Sequence, residues 1–104
     1  MSLFRQSSAD KRYRTYGPWI TTATVTGCDW AFTDVEVEAG SGDWTAGLVE
    51  QDTDDTTRYT FRVLVSGLGL GGTVELTEGS YRIWIRVDQD PEEFVLPVGT
   101  LTVY

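Results

Sequence analysis

Residues 57–66 place Thr57, Tyr59, Phe61, Val63 and Val65 at alternate positions, with Arg58, Thr60 and Arg62 between them. A period of two sends successive side chains to opposite faces of an extended strand, whereas a helix needs a period near 3.6. Residues 80–88 repeat the device, with Tyr81, Ile83, Ile85 and Val87 on one side and Arg82, Trp84 and Arg86 on the other. Only Leu64 breaks the polar side of the first run. No segment has a helical apolar period. The chain is therefore expected to be all-β, with each run burying one face.

The remaining strands follow from composition and punctuation. Gly17-Pro18 suits the start of a strand over 19–26, rich in β-branched residues. Residues 34–39 alternate Val35 and Val37 with Glu36 and Glu38, and Gly40-Ser41-Gly42-Asp43 then turns into a strand over 44–49. Gly67-Leu68-Gly69-Leu70-Gly71-Gly72 separates the 57–66 run from a short strand at 73–76. The last strand occupies 94–104, interrupted near Pro97 and Gly99. About seven short strands with turns at roughly ten-residue intervals is the pattern of an antiparallel sandwich or small barrel. With 104 residues, the chain has room for one core.

Residues 1–16 read differently. They lack sustained alternation and carry Arg5, Lys11, Arg12 and Arg14 against Asp10. The rest has four basic residues against fifteen acidic ones, a balance of −11. The reading is a basic N-terminal arm (1–16) on an acidic sandwich (17–104). Such an asymmetry favours docking, and the acidic body disfavours binding to nucleic-acid phosphates. Phe4, Tyr13 and Tyr16 are apolar anchors beyond what a solubilising tail needs.

Histidine is absent, which removes Ser-His-Asp and Cys-His chemistry and the usual zinc sites. A cleft between two catalytic carboxylates is hard to build in a chain this short that must also form a core. No enzyme activity and no cofactor are read. The Gly67–Gly72 run lacks the Lys-Ser/Thr and the following helix of a phosphate loop. The single cysteine, Cys28, is expected to be buried and inert. The first residues hold no apolar core of signal-peptide length, and no run approaches the roughly 18–20 apolar residues that cross a bilayer; neither export by that route nor a membrane partner is expected. Asp52-Thr53-Asp54-Asp55 and Asp88-Gln89-Asp90-Pro91-Glu92-Glu93 carry enough oxygen to interest calcium, but fit no EF-hand loop and are read as solvated turns. Trp19, Trp30, Trp44 and Trp84 raise the alternative of a sugar-binding platform. Trp19 and Trp44 suit packing better, and Trp30 lies close to a turn.

Leu76-Thr77-Glu78-Gly79-Ser80-Tyr81 resembles the tyrosine corner of fibronectin-III and other immunoglobulin-like domains. There, a Tyr hydroxyl returns to a backbone group a few residues upstream where the chain crosses between sheets. That pattern often has Pro where this chain has Glu78. The resemblance implies a structural Tyr81, its hydroxyl near the Thr77 backbone. Residues 79–103, with Gly79-Ser80-Tyr81, Trp84-Ile85-Arg86-Val87, Pro91-Glu92 and Gly99-Thr100-Leu101-Thr102-Val103, are similar to the C-terminal half of small immunoglobulin-like proteins of tailed bacteriophages. What this implies is an immunoglobulin-like sandwich serving as a virion structural protein, made in the host cytoplasm. A capsid decoration or minor capsid protein leads. A tail or neck adhesion module for carbohydrate or host surface, and an acidic DNA-mimic inhibitor, are the alternatives. Partners are then the major capsid protein or other virion proteins, and further copies of the chain. Candidate contacts are Phe4, Arg5, Lys11, Arg12, Tyr13, Arg14 and Tyr16 on the arm, and Arg82, Trp84 and Arg86 on the 80–88 strand, where Trp flanked by Arg is a common interface composition; the other reading of Trp84 is that the chain's own loop or arm covers it.

Overall fold

A computed structural model describes residues 2–89 and 91–104; Met1 of the expected arm and Asp90 of the second acidic stretch lie outside them. Nine strand segments follow in order: β1 (Ser2–Gln6), β2 (Lys11–Ile20), β3 (Gly27–Asp34), β4 (Thr45–Ala46), β5 (Leu48–Gln51), β6 (Arg58–Gly67), β7 (Val74–Leu76), β8 (Gly79–Gln89) and β9 (Glu92–Val103). One sheet runs β1-β9-β8-β3-β4. The other runs β2-β6-β5, with β7 also beside β6. The two pack as a sandwich.

The alternating runs supply the core as expected. Tyr59, Phe61, Val63 and Val65 of β6 meet Ile83, Ile85 and Val87 of β8 in one buried cluster with Cys28, Trp30, Leu101 and Val103. Trp30 is 1% exposed, so the tryptophan that sequence placed near a turn lies in the interior. A Cβ at Gly47 would come within 2.6 Å of the Trp30 ring. Only glycine fits there, and the expected strand over 44–49 is divided at that point into β4 and β5. The Cys28 thiol is buried and pushed up to about 11, chiefly by desolvation and then by the Asp29 charge.

Four expectations need correction. Residues 1–16 are not an arm. Ser2–Gln6 add to β9 in parallel, Lys11–Tyr16 pair with β6, and the boundary drawn after Tyr16 falls inside β2. Between these strands the chain crosses from one sheet to the other, tied by Ser8 N–H to Tyr104 C=O and Gly67 N–H to Asp10 C=O. A Cβ at Gly67 would collide with the Ser8 carbonyl. Second, Gly17-Pro18 does not start a strand but sits as a bulge within β2, between the Tyr16–Phe61 and Trp19–Tyr59 pairs. Proline has no N–H to give a ladder, so a bulge accommodates it. Third, residues 21–26 and 35–39 are not strands: the first is held to its neighbours only by isolated backbone bonds, Thr21 N–H to Thr57 C=O and Thr26 N–H to Asp88 C=O, and the second forms no ladder. Fourth, the sandwich is not wholly antiparallel: β1–β9 and β6–β7 are parallel. With the N-terminal strands and the β4/β5 division, nine segments stand in place of seven.

Candidate docking surface

Two clusters of arginine and aromatic residues were expected to meet partners, and the structure treats them oppositely. Arg82, Trp84 and Arg86 do lie on the outer face of β8, opposite Thr33, Ala31 and Asp29 of β3. However, Trp84 is only 9% exposed. Its indole N–H donates to Thr33 Oγ1 at 3.0 Å, and that hydroxyl donates to the Val37 carbonyl at 2.7 Å. Arg86 gives Nε and Nη2 to Asp29 Oδ2 at 3.1 and 2.9 Å, and its guanidinium lies 4.8 Å from the centre of the Trp44 ring. Arg82 lies 5.9 Å from the Trp84 ring centre. β3 and the segment joining it to β4 therefore supply partners for Trp84 and Arg86, while the buried Arg82 Nε has no hydrogen-bond partner. Of the two readings of Trp84, the exposed contact is corrected and the covered indole holds: small Ala31 stands opposite it and leaves room for the ring.

The other cluster is open. Phe4 and Gln6 stand opposite Leu101 and Val103 and so share the inner face of their sheet; Arg12, Arg14 and Tyr16 stand opposite Val65, Val63 and Phe61 on the inner face of the other. β1 and β2 are edge strands, so these side chains line the seam where the sandwich opens sideways. Part of the seam is tied shut. Arg14 donates to Gln6 Oε1 through Nε at 3.1 Å and Nη2 at 2.9 Å, and through Nη2 to the Arg5 carbonyl at 3.2 Å. Gln6, 2% exposed, passes the tie to the Val65 carbonyl at 2.8 Å through Nε2. Burial, and then the Arg12 charge, lower Arg14 from the ordinary arginine value.

Beyond the tie lies a cleft of about 340 Å³ walled by Phe4, Tyr13, Arg14, Tyr16, Trp30 and Val98. Phe4 is 38% and Tyr13 50% exposed. Lys11 and Arg12 stand in solvent beside them, and Arg5 lies over the Tyr104 ring at 5.0 Å. Among the described residues, one side of β1 and one side of β2 have no ladder partner, and β9 has none on its outer side from Glu92 to Val98. Such edges are templates for another extended chain. The cleft offers ring faces, hydroxyls and a cation, and its described lining holds no carboxylate or thiol. This chemistry suits gripping an extended segment that carries apolar side chains and negative charge. Sequence reading missed Gln6, Trp30 and Val98, because a polar residue in a polar stretch and apolar residues beside turns carry no periodic signal.

The other candidates are placed as follows. The four tryptophans form no common exposed platform: Trp30 and Trp84 are buried, Trp19 packs at tilted angles against Phe61 and Phe94, and Trp44 covers Arg86. Asp52 Oδ1 accepts the Asp54 and Asp55 backbone N–H groups at 2.8 and 3.2 Å. Hydrogen bonds from Thr57 hold Asp55 below the usual carboxylate range. Among the described residues no three ligating side chains gather around one point. Comparison of the chain with family models, with curated proteins and with solved structures gave no match.

Proposed function

We propose that the chain is a non-enzymatic docking protein that attaches by the open β1–β2 side to a larger assembly. One observation carries this reading: Phe4, Tyr13, Arg14 and Tyr16 line one cleft, and with Arg5, Lys11 and Arg12 they fall on two edge strands with unfilled ladders. The contact is a strand edge plus anchoring side chains, not a flexible tail. The partner surface is acidic or presents an extended acidic segment.

The assembly is taken to be a tailed-phage particle, with capsid decoration as the role, on the resemblance of residues 79–103. An immunoglobulin-like fold is supported by a pairing order in which β3, β8 and β9 form one sheet and β2, β6 and β5 the other, by the buried Trp30 on the third strand, and by the Tyr81 hydroxyl donating to the Thr77 carbonyl at 2.9 Å. Many copies on a symmetric lattice convert weak edge contacts into firm attachment.

Co-sedimentation with purified particles tests it. The protein is expected in the particle fraction. Lys11→Glu with Arg12→Glu is expected to cut occupancy at least about tenfold while changing stability by no more than about 0.5 kcal/mol, as is usual for exposed side chains. Undiminished occupancy of that variant rejects the edge as the contact. Absence of the protein from particles rejects the virion role.

A further inference from the structure

Residues 34–39, Asp34-Val35-Glu36-Val37-Glu38-Ala39, have the sequence of a half-buried strand and are not one. Beyond Asp34, which still pairs with Tyr81, the chain leaves its sheet. Asp34 and Val37 close a turn through one backbone bond of 2.9 Å, and the Val37 carbonyl takes the Thr33 hydroxyl. Val35 is 38% and Val37 51% exposed. Among the described residues neither Glu36 nor Glu38 has a hydrogen bond or an ion pair. A segment whose local preference contradicts its state is a place where some further interaction is absent.

The β1–β2 side has complementary needs. It has backbone donors and acceptors without a ladder and a cleft with aromatic walls that Arg14 lines; Arg12 shares the inner face of β2 with Arg14, and Lys11 stands exposed on its outer face. The acidic segment carries three carboxylates and no cation. We propose that residues 35–39 of one copy add as a strand to the free edge of β2 of a second copy. Val35 and Val37 then lie over the cleft between Phe4 and Tyr16, and Glu36 and Glu38 lie on the opposite face of β2, beside Lys11 and Tyr13. Within one molecule the segment leaves the end of β3, in the sheet opposite β2, and the two do not pair. The contact is therefore between copies: each copy offers a donor segment and an acceptor edge, so reciprocal exchange closes a two-fold dimer and one-way donation builds chains or rings. This goes beyond docking to a particle, since it needs no other protein.

Sedimentation velocity of the purified chain over a concentration series tests the pairing. Reversible association is expected, weakening at least about tenfold in dissociation constant as salt is raised from about 50 mM to about 500 mM. Glu36→Lys with Glu38→Lys changes only exposed residues outside strands, and this variant is expected to melt like the parent and sediment as a monomer. Lys11→Glu with Arg12→Glu is expected to do the same. An equimolar mixture of the two variants brings a basic donor to an acidic edge and is expected to restore association. Three results overturn the proposal: a parent that is monomeric at about 1 mM in low salt, a Glu36→Lys, Glu38→Lys variant that associates like the parent, or a mixture that stays monomeric while both variants are folded.

Discussion

The outer face of β8 and the open side at β1 and β2 share a composition, arginine interleaved with aromatic rings, and differ in everything that decides a surface's role. On β8 the fold answers two of the three groups: Asp29 for Arg86, with Trp44 as a lid on the guanidinium, and Thr33 for Trp84. At the seam Gln6 ties the two sheets, accepting from Arg14 and donating to the Val65 carbonyl. The rest of the edge is left with rings half in solvent and backbone without a ladder. Arginine beside tryptophan is thus not in itself a sign of a binding site. What separates the two is whether the fold brings the chain's own partners within hydrogen-bond reach.

The sharpest way to break this contrast is to treat the β8 face as dispensable. Trp84→Ala removes a buried indole and its hydrogen bond to Thr33, and is expected to cost about 3–5 kcal/mol in chemical unfolding; a cost of the size seen at exposed sites, about 0.5 kcal/mol, would return Trp84 to the list of contacts. Smaller, but on the same axis, Asp29→Ala takes away the carboxylate paired with a largely covered Arg86. It is expected to cost about 1–3 kcal/mol by the same measurement, because a charged donor is left with little water and no acceptor. If Asp29→Ala is neutral, the Arg86–Asp29 pair is an incidental surface pair.

The sequence made the centre of the fold legible and left the rim obscure. β6, β8 and β9 were visible because the inner face of each is buried against the other sheet at every second residue, although Leu64 and the covered Trp84 break the polar alternation outside. The tyrosine corner was visible because Leu76, Gly79 and Tyr81 stand at fixed offsets, and the Tyr81 hydroxyl meets the Thr77 carbonyl as the resemblance implied. β2 was not visible. Its inner face carries Arg12 and Arg14 where a central strand would carry valine, and an edge strand tolerates this because the guanidinium groups reach the seam and solvent. Residues 34–39 misled in the other direction. Alternation reports that a strand is possible, and only a neighbour with free hydrogen bonds makes one. Trp84 was assigned to the correct face, but the segment that covers that face is remote in sequence and leaves no trace in a two-residue period.

Hydroxyl-radical footprinting with residue-level mass spectrometry reads both regions at once, on the free protein and on the protein bound to particles. The account predicts fast oxidation of Phe4 and Tyr13 and slow oxidation of Trp84 in the free chain, with protection on binding confined to Phe4, Tyr13 and Tyr16. Rapid oxidation of Trp84, or protection on binding that falls on β8 and leaves Tyr13 as reactive as before, would contradict it.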